Sequence, residues 1–148
     1  MSLAHEMAGI GAGGLERAVA TLRAAGLRRT AARVAILRLL LASPRHLSVA
    51  EINERLGGDG VVIDPSTTWR NMLALVEVGL LHAVNGRGAP VYGAADHPHH
   101  HVLCRACGAV AELPAGRLAP AVREMEQVSG FQLSPGSLLA TGVCPECA

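Results

Sequence analysis

Two CxxC pairs and a run of histidines are the residues of this 148-residue chain whose types and spacing could do chemistry. Cys104 and Cys107 are two residues apart, and so are Cys144 and Cys147. Thiolates at that spacing are metal ligands, and two such knuckles supply the four sulfurs of a tetrahedral zinc site. Neither pair lies in the strand–CxxC–helix setting of a thiol redox centre. Zinc here would clip the end of a small subdomain back onto its start. Just upstream stands His97-Pro98-His99-His100-His101. Alternate residues of an extended segment share a face, so His97, His99 and His101 can converge on one ion while His100 points away. Pro98 favours the extended geometry this needs at His97. The competing reading is a solvated, His-rich linker. An all-imidazole site suits Zn, Ni, Cu or Fe, and an added carboxylate would harden it towards Fe or Mn.

The elements that must position these groups can be read from periodicity and caps. Residues 1–14 are small, Gly-rich and aperiodic, and read as a mobile tail. Leu15, Val19 and Leu22 recur at helical spacing and Gly26 ends that helix. Thr30 can cap a second helix with an apolar stripe of Val34, Leu37, Leu40 and Leu41. Ser48 with Glu51 is a capping box for a third helix over 49–56. Asp64 at N-cap with Pro65 at N1 starts a fourth, which Gly79 ends. Two strand-like runs, 80–84 and 89–92, are joined by Asn85-Gly86-Arg87-Gly88 as a hairpin turn. Helices followed by a β-hairpin are the order of a winged helix-turn-helix. The fourth helix would present Ser66, Thr67, Thr68, Trp69, Arg70 and Asn71 to the major groove. Arg28, Arg29 and Arg33, with Thr30 beside them and Arg87 in the wing, could reach phosphates.

Composition shifts at Ala94-Ala95-Asp96. The reading is a winged-helix DNA-binding domain over 15–93, a hinge over 94–101, and a zinc-stapled dimerisation domain over 102–148. The last reads as strand (101–103), knuckle, strand (110–113), helix (117–129, with Pro120 in its first turn), strand (138–141) and knuckle. Overall this is an α+β chain: an N-terminal winged helix-turn-helix domain plus a small C-terminal α/β dimerisation domain. A domain so small needs a staple and a partner, here zinc and a second copy of the chain. The formal net charge is +1, so DNA affinity must come from a local basic patch or be switched on. Aromatics are only 2% (Trp69, Tyr92 and Phe131), so the core must be aliphatic. No apolar run is long enough to span a membrane and no secretion signal is evident, which places the chain in the cytoplasm.

In this order, helix-turn-helix, wing, histidine run and paired CxxC resemble the ferric uptake regulator (Fur) family. The resemblance covers about 15–147. It is carried by Gly26-Leu27-Arg28-Arg29-Thr30-Ala31-Ala32-Arg33, by His46 with the Ser48–Glu51 box, and by Ser66-Thr67-Thr68-Trp69-Arg70. Gly88-Ala89-Pro90-Val91-Tyr92, the histidine run, Cys104-Arg105-Ala106-Cys107-Gly108, Phe131 and Gly142-Val143-Cys144-Pro145-Glu146-Cys147 complete it. It implies a homodimeric, metal-sensing transcriptional repressor on a palindromic DNA operator, active in metal homeostasis, with metal at the interdomain hinge setting the DNA-binding posture. It implies a structural Zn2+ and a second divalent ion, Ni2+, Zn2+, Fe2+ or Mn2+.

The resemblance also maps ligands. His46, His99 and His101 fall on regulatory-metal positions, and Glu112 on a carboxylate position used by some members. The acidic or cysteine ligand expected just after the wing falls near Tyr92 or Gly93, neither of which can replace it. A further sensory site falls on Ala119 and Gly136 and is expected to be absent. The nickel-responsive branch points to His46, His97, His99 and His101; the zinc-responsive branch points to His82. The favoured set is therefore His46, His97, His99 and His101, and the second is His82, His99, His101 and Glu112. The peroxide-sensing branch has Asp at the Glu112 position. Trp69 replaces the family's Tyr. Two other classes stay open on the residues alone: a zinc hydrolase with Glu112 as general base, and a metal buffer without DNA function.

Overall fold

Helix formation in the first part of the chain follows its caps and apolar stripes. The computed structural model describes residues 12–86, 88–136 and 138–148. Arg87 and residues 1–11, to which wing and tail readings were attached, lie outside them. α1 (Ala12–Ala24) begins before Leu15, so Gly13 and Gly14 are helical rather than part of a tail. α2 (Ala31–Ala42) is capped by Thr30, whose hydroxyl accepts from the Arg33 N–H at 3.2 Å. α3 (Val49–Gly58) carries the full capping box: the Ser48 hydroxyl accepts from the Glu51 N–H at 3.2 Å, and the Glu51 carboxylate accepts from the Ser48 N–H at 2.8 Å. α4 (Pro65–Glu77) starts on Asp64, which accepts from the Thr67 N–H at 2.9 Å.

The chain divides into two compact units, the first running to Asn85 and taking in Ala89–Asp96, the second His97–Ala148 together with Gly86 and Gly88. The first closes with a three-stranded antiparallel sheet ordered β1 (Leu47–Ser48), β3 (Val91–Ala94), β2 (Leu81–Val84). The two-residue β1 was not foreseen, because so short a run has no visible alternation. β3 starts two residues later than its expected strand: Val84 pairs with Val91, and Pro90, which has no N–H to give a ladder, stays in the connection. Leu22, Ile36, Leu37, Ile52, Met72 and Leu75 are fully buried in an aliphatic core that Tyr92 completes.

The capping box is a local anchor with a measurable worth. The Ser48 N–H holds the Glu51 carboxyl below its ordinary range. A depressed carboxylate stabilises above its unfolded pKa, and that contribution is lost as pH falls through the folded value. Ser48→Ala should cost about 1 kcal/mol of first-unit stability at neutral pH, and Glu51→Gln should show a deficit in denaturant titrations that shrinks as pH falls through the carboxylate range, where the wild-type side chain is also protonated.

The second unit has its own sheet, ordered β5 (Val110–Pro114), β4 (His99–Cys104), β6 (Leu139–Gly142). β4 pairs antiparallel with β5 and parallel with β6. α5 (Ala115–Ser129) starts two residues before its expected position, which moves Pro120 out of the first turn and into the helix. Gly130, at φ 74, turns out of α5 in the left-handed conformation, its N–H bonding the Glu126 carbonyl. None of the described helices is long and apolar enough to cross a membrane.

Candidate metal centres and nucleic-acid interface

Both knuckles fold as tight turns that aim their sulfurs inward. The Cys104 N–H bonds the Ala109 carbonyl, the Gly108 N–H bonds the Cys104 carbonyl, and the Cys147 N–H bonds the Cys144 carbonyl. The Cys144 N–H reaches across to the Cys104 sulfur at 3.3 Å. One sulfur from each of the four cysteines lies within 4.8 Å of all the others, and the Cys107–Cys144 pair is 3.8 Å apart. Sulfurs tetrahedral about zinc at about 2.3 Å are about 3.8 Å from one another. Backbone amides of Cys107 and Cys144 bring the Cys104 thiol down to about 6. Hydrogen bonds to the neighbouring Cys144 and Cys107 sulfurs hold the proton on Cys147 and, with the crowding of negative charge among them, push the thiol up to about 12. A divalent cation removes that conflict, so the donor set fits a structural zinc.

In the first unit a histidine pair is built on the three-stranded sheet. His82 pairs across β2–β3 with Gly93, and Leu47 pairs with Tyr92 across β1–β3. Extending the second register by one residue sets His46 on the other side of Gly93. The two imidazoles flank a residue with no side chain and meet over it, Nε2 to Nε2 at 2.6 Å. A carbon added at Gly93 would come within 2.7 Å of His46 Cδ2. Gly93 is thus the gap the pair requires. The position near Tyr92 or Gly93, where the resemblance expects a ligand, thus has the His82 imidazole beside it on the neighbouring strand. Gly93→Ala should displace the His46 ring while leaving the fold intact. Divalent-metal affinity should fall about tenfold or more, by analogy with lost ligand-orienting contacts, in competition with a chelating dye.

In the second unit the histidines lie on β4. His99, His100 and His101 are all buried. His99 and His101 share a face with ring centroids 4.8 Å apart. His100 faces the other way, its Nδ1 accepting from the Leu138 N–H at 3.3 Å. Burial, reinforced by His99 and His100, pushes His101 down to about 4, which keeps its imidazole neutral and its lone pair available to a metal. His97, half-exposed, turns to Glu112: His97 Nε2 lies 3.7 Å and His99 Nε2 3.6 Å from its two oxygens. Within the units, then, His46 stands with His82 and His97 stands with Glu112. Neither four-residue set read from the sequence is divided that way. Pairing register sets these neighbours, and it is invisible in a linear chain.

The helix-turn-helix face is also sorted by the structure. Ser66, Trp69 and Arg70 are exposed on α4, and so is Leu73. Thr68 is a correction. It is fully buried, and its hydroxyl donates to Asn53 Oδ1 at 2.6 Å, tying α4 to α3 instead of facing a groove. Asn71 and Arg33 are half-buried and bonded to each other, Arg33 Nε donating to Asn71 Oδ1 at 3.1 Å, which braces α2 against α4. Thr67 is partly buried, its hydroxyl bonded to Asp64. Arg28, Arg29 and Thr30 are exposed at the start of α2. A one-in-three alternation along the first turns of a helix accounts for the misplaced Thr68: all six residues cannot share one face.

A helix-turn-helix unit followed by a unit with a four-thiolate knuckle and a histidine strand defines a metal-responsive DNA-binding regulator. The Ferric uptake regulator family profile matches residues 24–139. Over 134 residues, 90% of each chain, the protein is 30% identical to the peroxide-responsive repressor PerR of Staphylococcus aureus. It is similar to the ferric uptake regulator of Pseudomonas aeruginosa with manganese (28% identity, TM-score 0.71, 86% and 97% of the two chains). It is likewise similar to that of Vibrio cholerae (28% identity, TM-score 0.68, 84% and 98%). The chain belongs to the ferric uptake regulator family. Regulators of this family are metal-responsive transcriptional repressors and not enzymes, which removes the hydrolase reading.

Proposed function

We propose that the protein is a homodimeric repressor that reads a divalent metal through two histidine pairs, His46–His82 in the first unit and His99–His101 in the second. The observation that carries this is the His46–Gly93–His82 row, which assembles two imidazole donors on the DNA-binding unit itself. A metal taking ligands from both pairs favours the DNA-competent arrangement by its higher affinity for that state. Four imidazoles suit zinc or nickel. Cys104, Cys107, Cys144 and Cys147 hold the structural zinc throughout.

Ser66, Trp69 and Arg70 read the major groove, while Arg28, Arg29 and Arg87 meet phosphates. The exposed Met125, Val128 and Phe131 support a two-fold partner on the second unit. A two-fold dimer matches a palindromic operator with half-sites about one helical turn apart. The repressor works in the cytoplasm and serves metal homeostasis.

The test is a gel-shift titration on DNA upstream of the protein's own gene, at fixed salt, with structural zinc kept and the regulatory metal removed. Zn, Ni, Mn and Fe are added in parallel, with a peroxide arm because the Staphylococcus aureus relative is peroxide-responsive. Retardation by one metal at far lower free concentration than the rest is the expected result. Retardation independent of every metal would overturn metal sensing. Loss of retardation on brief peroxide with iron would move the protein to peroxide sensing.

A further inference from the structure

We infer a second metal site lying wholly within the second unit, formed by His97, His99 and Glu112, which competes with the regulatory site for His99. One ligand atom from each of these three residues lies within 4.8 Å of the others. The two imidazole Nε2 atoms face the two oxygens of one carboxylate, at 3.7 and 3.6 Å. The arrangement is fixed by the sheet. Glu112 pairs with His101 across β4–β5, so it lies diagonal to His99 on the same face. His99 is itself oriented by its Nδ1, 2.9 Å from the His97 carbonyl, which commits that nitrogen as donor and leaves Nε2 as the ligand atom.

Two imidazoles and one carboxylate on one side of an ion are a harder donor set than four imidazoles. They suit Fe2+, Mn2+ or Zn2+ with water in the open positions. His99 offers one nitrogen and cannot serve two ions at once, so occupation of either site excludes the other. An ion at His97, His99 and Glu112 asks nothing of the first unit. It therefore occupies the protein without recruiting His46 and His82. This rests on the ligand role given to His99 above, but not on any DNA-binding role.

The test uses the full-length protein with its structural zinc and Co2+ as the spectroscopic probe. The wild type should bind one Co2+ beyond the structural metal. His46→Ala/His82→Ala should still bind one, with the weaker visible absorbance of a five- or six-coordinate, oxygen-rich site. Adding His97→Ala or Glu112→Gln to that background should weaken it at least as much as losing an outer-sphere partner does, about ten- to a hundredfold. Glu112→Gln keeps shape and packing, so a lost site there is not a lost fold. With His97→Ala/Glu112→Gln alone, one Co2+ should remain, with imidazole-rich absorbance. No Co2+ beyond the structural metal in the His46→Ala/His82→Ala variant would overturn the site. Two ions beyond the structural one in the wild type would overturn the competition. Failure of metal-dependent DNA binding in the wild type would count against the regulatory reading and leave these Co2+ outcomes standing.

Discussion

Replacing Cys104 and Cys144 with serine leaves the second unit unfolded while the first keeps its cooperative transition. The expectation follows from how little apolar core the second unit has. Among its described residues, Leu103 and Cys104 are the buried hydrophobics, and α5 buries none of its side chains. Structural zinc sites contribute on the order of 10 kcal/mol of apparent binding free energy. A whole domain's net stability is only about 5–15 kcal/mol. Losing the metal therefore removes as much free energy as the unit has to lose. The sign with pH is set by proton competition. Zinc must displace the protons held on the thiols, and Cys147 holds its proton up to about 12 in the metal-free protein. Zinc retention should weaken as pH falls. Zinc content by mass spectrometry, with amide dispersion by NMR, checks both points. A well-dispersed second unit free of zinc would disprove the staple.

His99→Ala/His101→Ala should abolish the metal-induced gain in operator affinity while leaving the four-sulfur zinc in place. Couplings of this kind are worth about 1–3 kcal/mol, or about 5- to 150-fold in affinity, and the variant should lose all of it. Residual metal-independent binding should be unchanged, because no α4 side chain is altered. The buried imidazole of His101 stays neutral into the acidic range. Protonation should therefore not remove His101 as a ligand near pH 6. Fluorescence anisotropy on labelled operator, with and without metal, measures the gain directly. An undiminished gain in the double variant would show that the regulatory ion sits elsewhere.

These sites were unequally legible in the sequence. The paired CxxC knuckles declare themselves because spacing alone puts two sulfurs on one turn. The Ser48–Glu51 box and the Asp64-Pro65 start were equally plain, since a cap is a local arrangement of three or four residues. His82 was not: its significance depends on β2 pairing with β3 at a register that sets it opposite Gly93. Gly93 itself read as a missing ligand, although its lack of a side chain is what admits the His46 ring. The nearness of His97 to Glu112 was not legible either, because alternation along one strand says nothing about the next strand. Thr68 was counted as a DNA contact because its neighbours are polar. Burial on a helix follows angle, and Thr68 turns toward Asn53.

The parallel pairing of β4 with β6 has a kinetic consequence. His101 meets Leu139, so this contact closes only after the intervening chain has folded back, whereas β4 and β5 are neighbours in sequence. Distant pairings form late, because loop-closure entropy is met before the contact rewards it. Cys104 ends β4, and Cys144 follows two residues after β6, so zinc captured by the knuckles draws the two strands together in register. Free zinc at the moment of folding then sets how fast this unit forms as well as how firmly it holds. In zinc-starved cells, new chains would dwell with the histidine-bearing edge of β4 open to pairing with other chains.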